Sequence, residues 1–493
     1  MLAQDAAKHV NIRHPDKFFI GGAWVTPSSS RRFDVISPSS EEVFFQVAEA
    51  LEADIEGAVA AAREAFDNGP WPQMSPDERA GYLTRMAQRL AARAPELAYS
   101  YTGEVGVLFK MTQHTGSTAA RDFESYAALA GTYPWVEEHK RSYGDGPGLL
   151  VSEPVGVVAA IVPWNAPLTL AVHKVAPALL AGCAIVLKPS PETPLDAYIL
   201  AEIAEEVGLP RGVLNVVTAD RGASEHLVRH PGIDKVSFTG STAAGRRIAS
   251  ICGDRIARCT LELGGKSAAI IMDDYSIEAA AQTLAGAITL MSGQVCAALT
   301  RVVVPRKRHD AMVDALAASF QKIAIGDPYD PATQLGPLAM KRQLERVESY
   351  IAKGREEARL ITGGTRPASL NRGYYIEPTL FANVDSRAVI AQEEIFGPVL
   401  SVIPAEDEDD AVRIANDTAY GLNGAVFTND ADIAYRTARR IRSGSVAQNG
   451  FSIDFGIAFG GFKQSGIGRE GGAEGLSLYL EKKTILLSSR PTL

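Results

Sequence analysis

Cysteine is scarce in this chain: there are four in 493 residues, Cys183, Cys252, Cys259 and Cys296. Their spacing gives no paired metal-ligand motif and no disulfide framework, which predicts a reducing, cytoplasmic setting and no metal site. Long hydrophobic runs are also missing. Proline, glycine or charge interrupts each apolar stretch, so no membrane span is expected. No Lys/Arg-rich tract stands out and the formal net charge is −9, which argues against a nucleic-acid surface. The opening MLAQDAAKHVNIRHPDKFF lacks the basic-then-apolar layout of a secretory signal. There is no repeat array and no low-complexity tract. What remains is ordinary for a soluble globular protein, 46% apolar and 22% charged, and long enough for two or three domains with real cores.

The first hundred-odd residues read as mainly helical, with apolar residues at helical spacing in ADIEGAVAAAREAF and PDERAGYLTRMAQRLAARAPELAYSYTGE. Before them, KFFIGGAWV reads as a short hairpin about Gly21-Gly22. SYGDGPGLL is a turn-rich break. From about residue 150 the pattern alternates. Val155 to Val162 suits a strand buried on both faces. A helix follows from Pro167 to Leu180, then the strand AIVLK, a helix from Pro194 to Val207 and the strand VLNVV. A helix near Ala223 to Arg229, the strand KVSF, a helix from Ala243 to Cys252 and the strand CTLEL complete the block. Such alternation predicts a parallel, doubly wound sheet. A second block runs through RVVVP, a helix near Lys307 to Lys322, VLSVIPA, Glu408 to Ala415, GAVFT, Ala431 to Arg442 and SGSVAQN. The last stretch, LSLYLEKKTILL, reads as a strand without an obvious partner of its own, able to pair with another subunit.

Ligands of open parallel sheets bind beyond the carboxyl ends of the strands. Four strand ends carry polar or glycine-rich residues: Pro163-Trp164-Asn165, Lys188-Pro189-Ser190, Thr239-Gly240-Ser241-Thr242 and Glu262-Leu263-Gly264-Gly265. In FTGSTAAG, Gly240 and Gly245 bracket a Ser-Thr pair where a helix opens. This suits a phosphate, though Ser241 serves equally as an ordinary N-cap. GIGREG, Gly466 to Gly471, fits the dinucleotide pattern but follows no βαβ opening, so it is rejected as that fingerprint. Lys188 could reach ribose hydroxyls or a phosphate, or be a solvated surface lysine. Asn165 could donate its amide to a ligand or cap the helix opening near Pro167. Glu262 suits a base near neutral pH if buried, or a partner for Lys266 or an arginine. Cys296 is either an inert thiol or a nucleophile, which needs a base and oxyanion donors; Glu262 and Asn165 are the candidates.

Taken together, PWNAPL, LKPSPETP, SFTGS, LELGGKS, GQVC, EEIFGPV, NDTAYGL and FGGFKQSGIGRE resemble the NAD(P)-dependent aldehyde dehydrogenase superfamily, in its order and nearly end to end. The resemblance implies a Rossmann-type NAD(P)-binding domain from residues 1–129 and 149–261, an α/β catalytic domain from 262–460, and an oligomerisation element from 130–148 and 461–493. It implies a homodimer or homotetramer acting on a small aldehyde. It further implies that Cys296 attacks the aldehyde, that the Asn165 amide and the Cys296 N–H stabilise the oxyanion, and that Glu262 activates the water that hydrolyses the thioester. Lys174 and Glu470 match proton-relay positions. Trp164, Lys188, Ser190, Gly240, Ser241 and Leu263 would bind the cofactor, and Glu394 and Phe396 would position its nicotinamide end.

The chain departs from the family where NAD-preferring relatives often carry a glutamate, three residues after the lysine of LKP. Pro191 stands there, with Glu192 next to it, so NAD is expected and NADP is possible. VVTADRG replaces a more glycine-rich loop, and Ala458 stands where proline is common. The expected aldehyde tunnel, formed by Ala166, Leu170, His173, Val295, Ala297, Phe451, Ile453 and Phe455, holds no arginine and is mostly apolar. This favours apolar aliphatic or aromatic aldehydes, while Asp454 would favour a cationic one if it faced the tunnel. A coenzyme-A-acylating enzyme is the alternative, disfavoured because such enzymes usually lack the base that Glu262 supplies. A non-catalytic binding protein with the same fold and a cofactor-free thiol hydrolase are the others. The joint presence of Cys296, Glu262, Asn165 and Lys188 counts against the first, and a requirement for nicotinamide separates the second.

Overall fold

The computed structural model describes residues 3–491. Residues 1, 2, 492 and 493, which the expected domain segments include, lie outside that range. Strands β1 (Val157–Ile161), β2 (Ala184–Lys188), β3 (Leu214–Val216), β4 (Lys235–Thr239) and β5 (Arg258–Glu262) alternate with helices α1 (Pro167–Ala181), α2 (Leu195–Glu206), α3 (Arg221–Arg229) and α4 (Thr242–Asp254). The five strands are parallel, in the order β5-β4-β1-β2-β3. Every residue of β1, β2 and β4 is buried, as expected for a sheet covered on both faces. Each fully buried Val, Leu or Ile in it contributes about 1.5–3 kcal/mol of transfer free energy. Helix α1 opens on Pro167, whose fixed φ suits a first turn, and closes on Gly182 in the left-handed region at φ 96°.

The hairpin expected about Gly21-Gly22 forms, with Phe18–Ile20 against Ala23–Val25, and docks antiparallel on β3 through Phe19 and Val216. The helical stretch expected before residue 105 breaks in two, Pro76–Ala92 and Ala94–Val105, because Pro95 belongs in the first turn of the second helix. Gly466–Ile467 pairs antiparallel with Leu261 and Glu262, so GIGREG adds an edge to this sheet instead of opening a nucleotide-binding unit.

The second sheet contains β6 (Ser267–Ile271), β7 (Leu299–Pro305), β8 (Thr379–Ala382), β9 (Val399–Ala405), β10 (Gly424–Phe427) and β11 (Ala447–Gln448), in the order β8-β9-β7-β6-β10-β11, with Arg359–Thr362 outside β8. Its helices include α5 (Ile277–Thr289), α6 (His309–Phe320), α7 (Lys341–Glu357), α8 (Glu408–Asn416) and α9 (Ala431–Ala438). A third sheet corrects one expectation. The terminal strand Leu480–Leu486 has a partner in its own chain, pairing antiparallel with Pro147–Pro154, which also pairs with Val136–Lys140. The partner strand is remote in sequence, so nothing local to LSLYLEKKTILL points to it. The pairing of Leu480 with Pro154 also carries this sheet past the boundary expected at residue 148.

Register explains where the polar strand ends collect. Ile161 is opposite Lys188 and Phe238, and Thr239 is opposite Glu262. The residues following β1, β2, β4 and β5 therefore leave the sheet along one rim. The strand order reverses between β1 and β4, which opens a crevice between Trp164-Asn165 and Gly240-Ser241.

Candidate active site

Cys296 lies on the irregular segment between α5 and β7. Met291 and Ser292 take left-handed φ values of 49° and 56° there. The segment is held from below. Ser292 Oγ donates to the Gly336 carbonyl at 2.9 Å, and the buried Gln294 side chain donates to Met291 O at 3.1 Å while accepting the Ala339 N–H at 2.9 Å. The Cys296 carbonyl abuts Gly265, where a Cβ would not fit. The amide N–H groups of Cys296 and Ala297 point at Sγ and favour the thiolate. Burial, then the charges of Glu394 and Glu262, outweigh them and push the thiol up to about 12.

Asn165 is 7% exposed and donates Nδ2–H to the Gln294 carbonyl at 2.9 Å. Helix α1 is capped at Ala166 without a side-chain bond, so Asn165 is not its cap. Its own carbonyl accepts from Tyr101 Oη at 2.9 Å. Glu262 is 2% exposed and neither carboxylate oxygen has a hydrogen-bond partner. Burial and the neighbouring Glu470 hold it well above the usual carboxylate range, against the pull of Lys174 and Arg469. The buried Lys174 donates to Glu470 Oε1 and, at 2.7 Å, to Thr239 Oγ1. Lys266 is not Glu262's partner: its own Nζ is buried without a hydrogen bond, and burial with Arg301 close by lowers it to about 7.

An apolar wall surrounds the thiol. Cys296 packs in one cluster with Val295, Ala297, Leu422, Phe451, Ile453, Phe455 and Phe459. His173 joins through Phe455, on which it stacks at 4.0 Å and 15°. Ala166 packs instead with Tyr101, Trp164 and Met291, and Leu170 belongs to the large core of the first sheet. Asp454 is exposed and turned onto its own loop, accepting the Gly456 N–H at 2.7 Å.

The second group of expected residues lines the adjoining crevice. Trp164 meets Phe396 edge-on at 5.3 Å, and Phe396 is held at φ 63°. Glu394 Oε1 accepts the Gly265 N–H at 3.1 Å, and burial pushes its carboxyl up to about 7. Gly264 lies so close to Glu394 that a Cβ would collide with the carboxylate. Leu263 fits against Gly245, where a Cβ would strike its side chain. The Gly240 N–H donates to the Glu262 carbonyl at 3.0 Å. The Ser241 hydroxyl is in use as the N-cap of α4, accepting from Ala244 N at 3.3 Å. Lys188 is buried rather than solvated. Burial lowers it to about 8 while Glu192 and Asp220 oppose that shift. Ser190 Oγ donates to Glu192.

The aldehyde dehydrogenase family pattern matches residues 24–485. The chain belongs to the aldehyde dehydrogenase family. It is 45% identical over 471 residues to a geranial dehydrogenase of Castellaniella defragrans, covering 95% of this chain and 98% of that one. It is 41% identical to a 3-succinoylsemialdehyde-pyridine dehydrogenase of a Pseudomonas species, covering 96% and 99%. Among solved structures it matches a Mycobacterium tuberculosis aldehyde dehydrogenase complexed with NAD+, at TM-score 0.93 and 46% identity, covering 96% and 98%. A cysteine-to-alanine mutant of a Pseudomonas syringae aldehyde dehydrogenase, complexed with NAD+ and octanal, matches at TM-score 0.93 and 39% identity, covering 98% and 99%.

Several residues that organise this aldehyde dehydrogenase site escaped the sequence reading. Buried Ser465 stitches the edge strand to the Glu262 turn: its hydroxyl donates to Gly264 O at 2.7 Å and its carbonyl accepts from Leu263 N at 2.9 Å. Tyr126 Oη accepts the Gly471 N–H at 3.1 Å, next to Glu470. Buried Arg301 donates to the carbonyls of Lys266, Ile414 and Ala415 at 2.8–2.9 Å. The local signal available for this group was the position of Ser465 inside FGGFKQSGIGRE.

Proposed function

We propose that the protein oxidises an apolar aliphatic or aromatic aldehyde to its carboxylic acid with NAD+, through a thioester on Cys296. The observation that carries this reading is the convergence on one thiol of two backbone N–H groups, an unpartnered buried carboxylate and an apolar wall. The residues of the crevice suit the cofactor. Lys188 is a buried cation at a strand end, Gly240 and Gly245 sit where α4 opens, and Glu394 and Phe396 flank the approach to Cys296. They would hold NAD+ with Trp164, Ser190, Ser241 and Leu263.

In this mechanism Cys296 gives its thiol proton to solvent, and Sγ bonds to the aldehyde carbon as the carbonyl π pair moves onto oxygen. The developing oxyanion accepts hydrogen bonds from the second Asn165 amide hydrogen and the Cys296 N–H. Bound NAD+ supplies the hydride acceptor that makes the thioester accessible. Glu262 then takes a proton from the water that attacks the thioester carbon, a role its raised carboxyl pKa suits, and the C–S bond breaks to release the acid and return Cys296 as the thiolate. Lys174 and Glu470 pass that proton on from the buried side of Glu262. The apolar cluster receives the hydrocarbon part of the substrate. The geranial-oxidising relative and the octanal-bound neighbour support that class. We propose further that residues 130–148 and 461–493 mediate a homodimer or homotetramer, between the NAD-binding segments 1–129 and 149–261 and the catalytic segment 262–460.

The direct test follows absorbance of reduced nicotinamide with wild type and Cys296→Ala on octanal, geranial and benzaldehyde, with NAD+ and NADP+ in separate wells. Turnover by wild type and none by the variant is expected. A folded wild type that is silent with every pair overturns the reading.

A further inference from the structure

Cys252 and Cys259 are brought together by the turn that joins α4 to β5. Ile256 takes a left-handed φ of 56° there, and the Ala257 N–H reaches back to the Cys252 carbonyl at 2.8 Å. This closure folds the chain back over the last turn of the helix. Arg255 holds the turn from outside, donating to the carbonyls of Val228, at 2.8 Å, and Ile233. Cys259, the second residue of β5, then packs on the same core as Cys252, and the Cys252 S–H donates to Cys259 Sγ. Cys252 is 1% exposed, whereas Cys259 is half-buried. The edge strand Gly466–Ile467 covers β5 at Leu261 and Glu262 only, so the first half of β5 is an open edge among the described residues. Ile256 and Arg258, near Cys259, are exposed there.

The four cysteines differ as nucleophiles, since the thiolate is the reactive form. Burial pushes Cys183 up to about 11 and Cys296 up to about 12. Cys252 is raised by its bond with Cys259 and by burial, with Arg255 and Lys235 pulling the other way. Cys259 alone moves down: the bond from Cys252 outweighs burial and, with Lys235 nearby, brings it to about 7. We propose that Cys252 and Cys259 form a hydroperoxide-reactive dithiol, oxidised ahead of Cys296 to an intramolecular disulfide and reopened by a thiol reductant. The Cys259 thiolate attacks an oxygen of the hydroperoxide. The O–O bond breaks, a sulfenic acid forms on Cys259, and the other oxygen leaves with a proton from solvent as water or an alcohol. Cys252 Sγ then attacks the Cys259 sulfur, and the S–O bond breaks as the hydroxyl leaves with the Cys252 proton as water. Two thiols are oxidised and one peroxide is reduced. Cys259 and Glu262 point to opposite faces of β5, so the new bond leaves the Glu262 side unaltered. A disulfide that forms and reopens in this way suits a reducing compartment.

Treating the full-length enzyme with increasing hydrogen peroxide, then unfolding, alkylating and mapping its four cysteines by peptide mass spectrometry tests this. The free thiol count is expected to fall from four to two, with Cys252 linked to Cys259 and both Cys183 and Cys296 still alkylated. Dithiothreitol should restore all four. Cys252→Ala removes the resolving thiol, so a sulfenic acid trapped by dimedone should accumulate on Cys259. Cys259→Ser should leave Cys252 unoxidised at the same peroxide concentration. Oxidation of Cys296 before the pair overturns the inference, as does oxidation of Cys259 in wild type without a link to Cys252, or no oxidation of the pair at all. The wild-type map decides between these outcomes even where Cys252→Ala fails to fold, and it does not depend on turnover, so it stands apart from the proposed reaction.

Discussion

Replacing Glu262 by glutamine keeps the volume of the side chain and removes its charge, which separates two halves of the proposed reaction. The thioester half needs a base at residue 262; the bond-forming half needs Asn165 and the backbone N–H of Cys296. Loss of a positioned general base typically costs about 10²–10⁴-fold. Stopped-flow mixing of Glu262→Gln with NAD+ and octanal is therefore expected to show a burst of reduced nicotinamide close to one per Cys296, followed by steady-state turnover reduced by that factor. Stability gives an independent reading of the same group. Glu262 has a folded pKa raised above its unfolded value, so between those two values the unfolded state has shed a proton that the folded state keeps. Wild-type stability then falls as pH rises through that window, by about 1.4 kcal/mol per pH unit for this one group. The glutamine variant lacks this slope, so its melting temperature should gain on wild type as pH rises above the unfolded carboxylate range. Turnover by the variant within threefold of wild type, or loss of the burst along with the turnover, would refute the division of labour argued here.

Other outcomes follow from the same geometry. Asn165→Ala is expected to slow the burst itself by about 10²–10³-fold, the cost of one oxyanion donor, with the melting temperature nearly unchanged. Asp196 and Glu104 form a fully buried acid pair bridged by Ser100 Oγ, at 3.0 and 3.2 Å, and burial raises Asp196 to about 7. Stability from this pair is lost as pH rises from the unfolded carboxylate range through 7, so Asp196→Asn should melt higher than wild type at pH 8.5 and lose that advantage at pH 5. Arg301→Lys keeps the charge but cannot serve three carbonyls at once, and should destabilise by about 3 kcal/mol or more in urea titration; a loss below 1 kcal/mol would contradict its role as the tie between β6 and α8.

The rim of the first sheet was legible because fully buried parallel strands read as short apolar runs, and the residue after each run is then placed by topology alone. Cys296 and Glu262 became a pair through the family resemblance, since spacing says nothing about two residues on different sheets. The unread parts have particular causes. Helix α5, IEAAAQTLAGAIT, is rich in alanine and shows little contrast between its faces, and β6 is a run of small residues. Helix α7 went unread although Leu344, Val347, Tyr350, Ile351 and Gly354 fall at helical spacing and are buried. Asn165, Ser241 and Lys188 each had two readings in the sequence. Only packing separates them, since Ser241 caps its helix, Asn165 does not cap one, and Lys188 is buried.

The edge strand Gly466–Ile467 has a consequence for the order in which this enzyme is made. Ser465 and Glu470 flank it and complete the surroundings of Glu262, yet both are translated long after Cys296. At ribosomal speeds of about 5–20 residues per second, roughly ten to thirty-five seconds separate Cys296 from Glu470. Through that interval the first sheet can fold with an open edge while the thiol has no finished site beside it. The surroundings of Cys296 are thus completed last, from the tail inward, and partly synthesised chains carry the cysteine without its finished pocket.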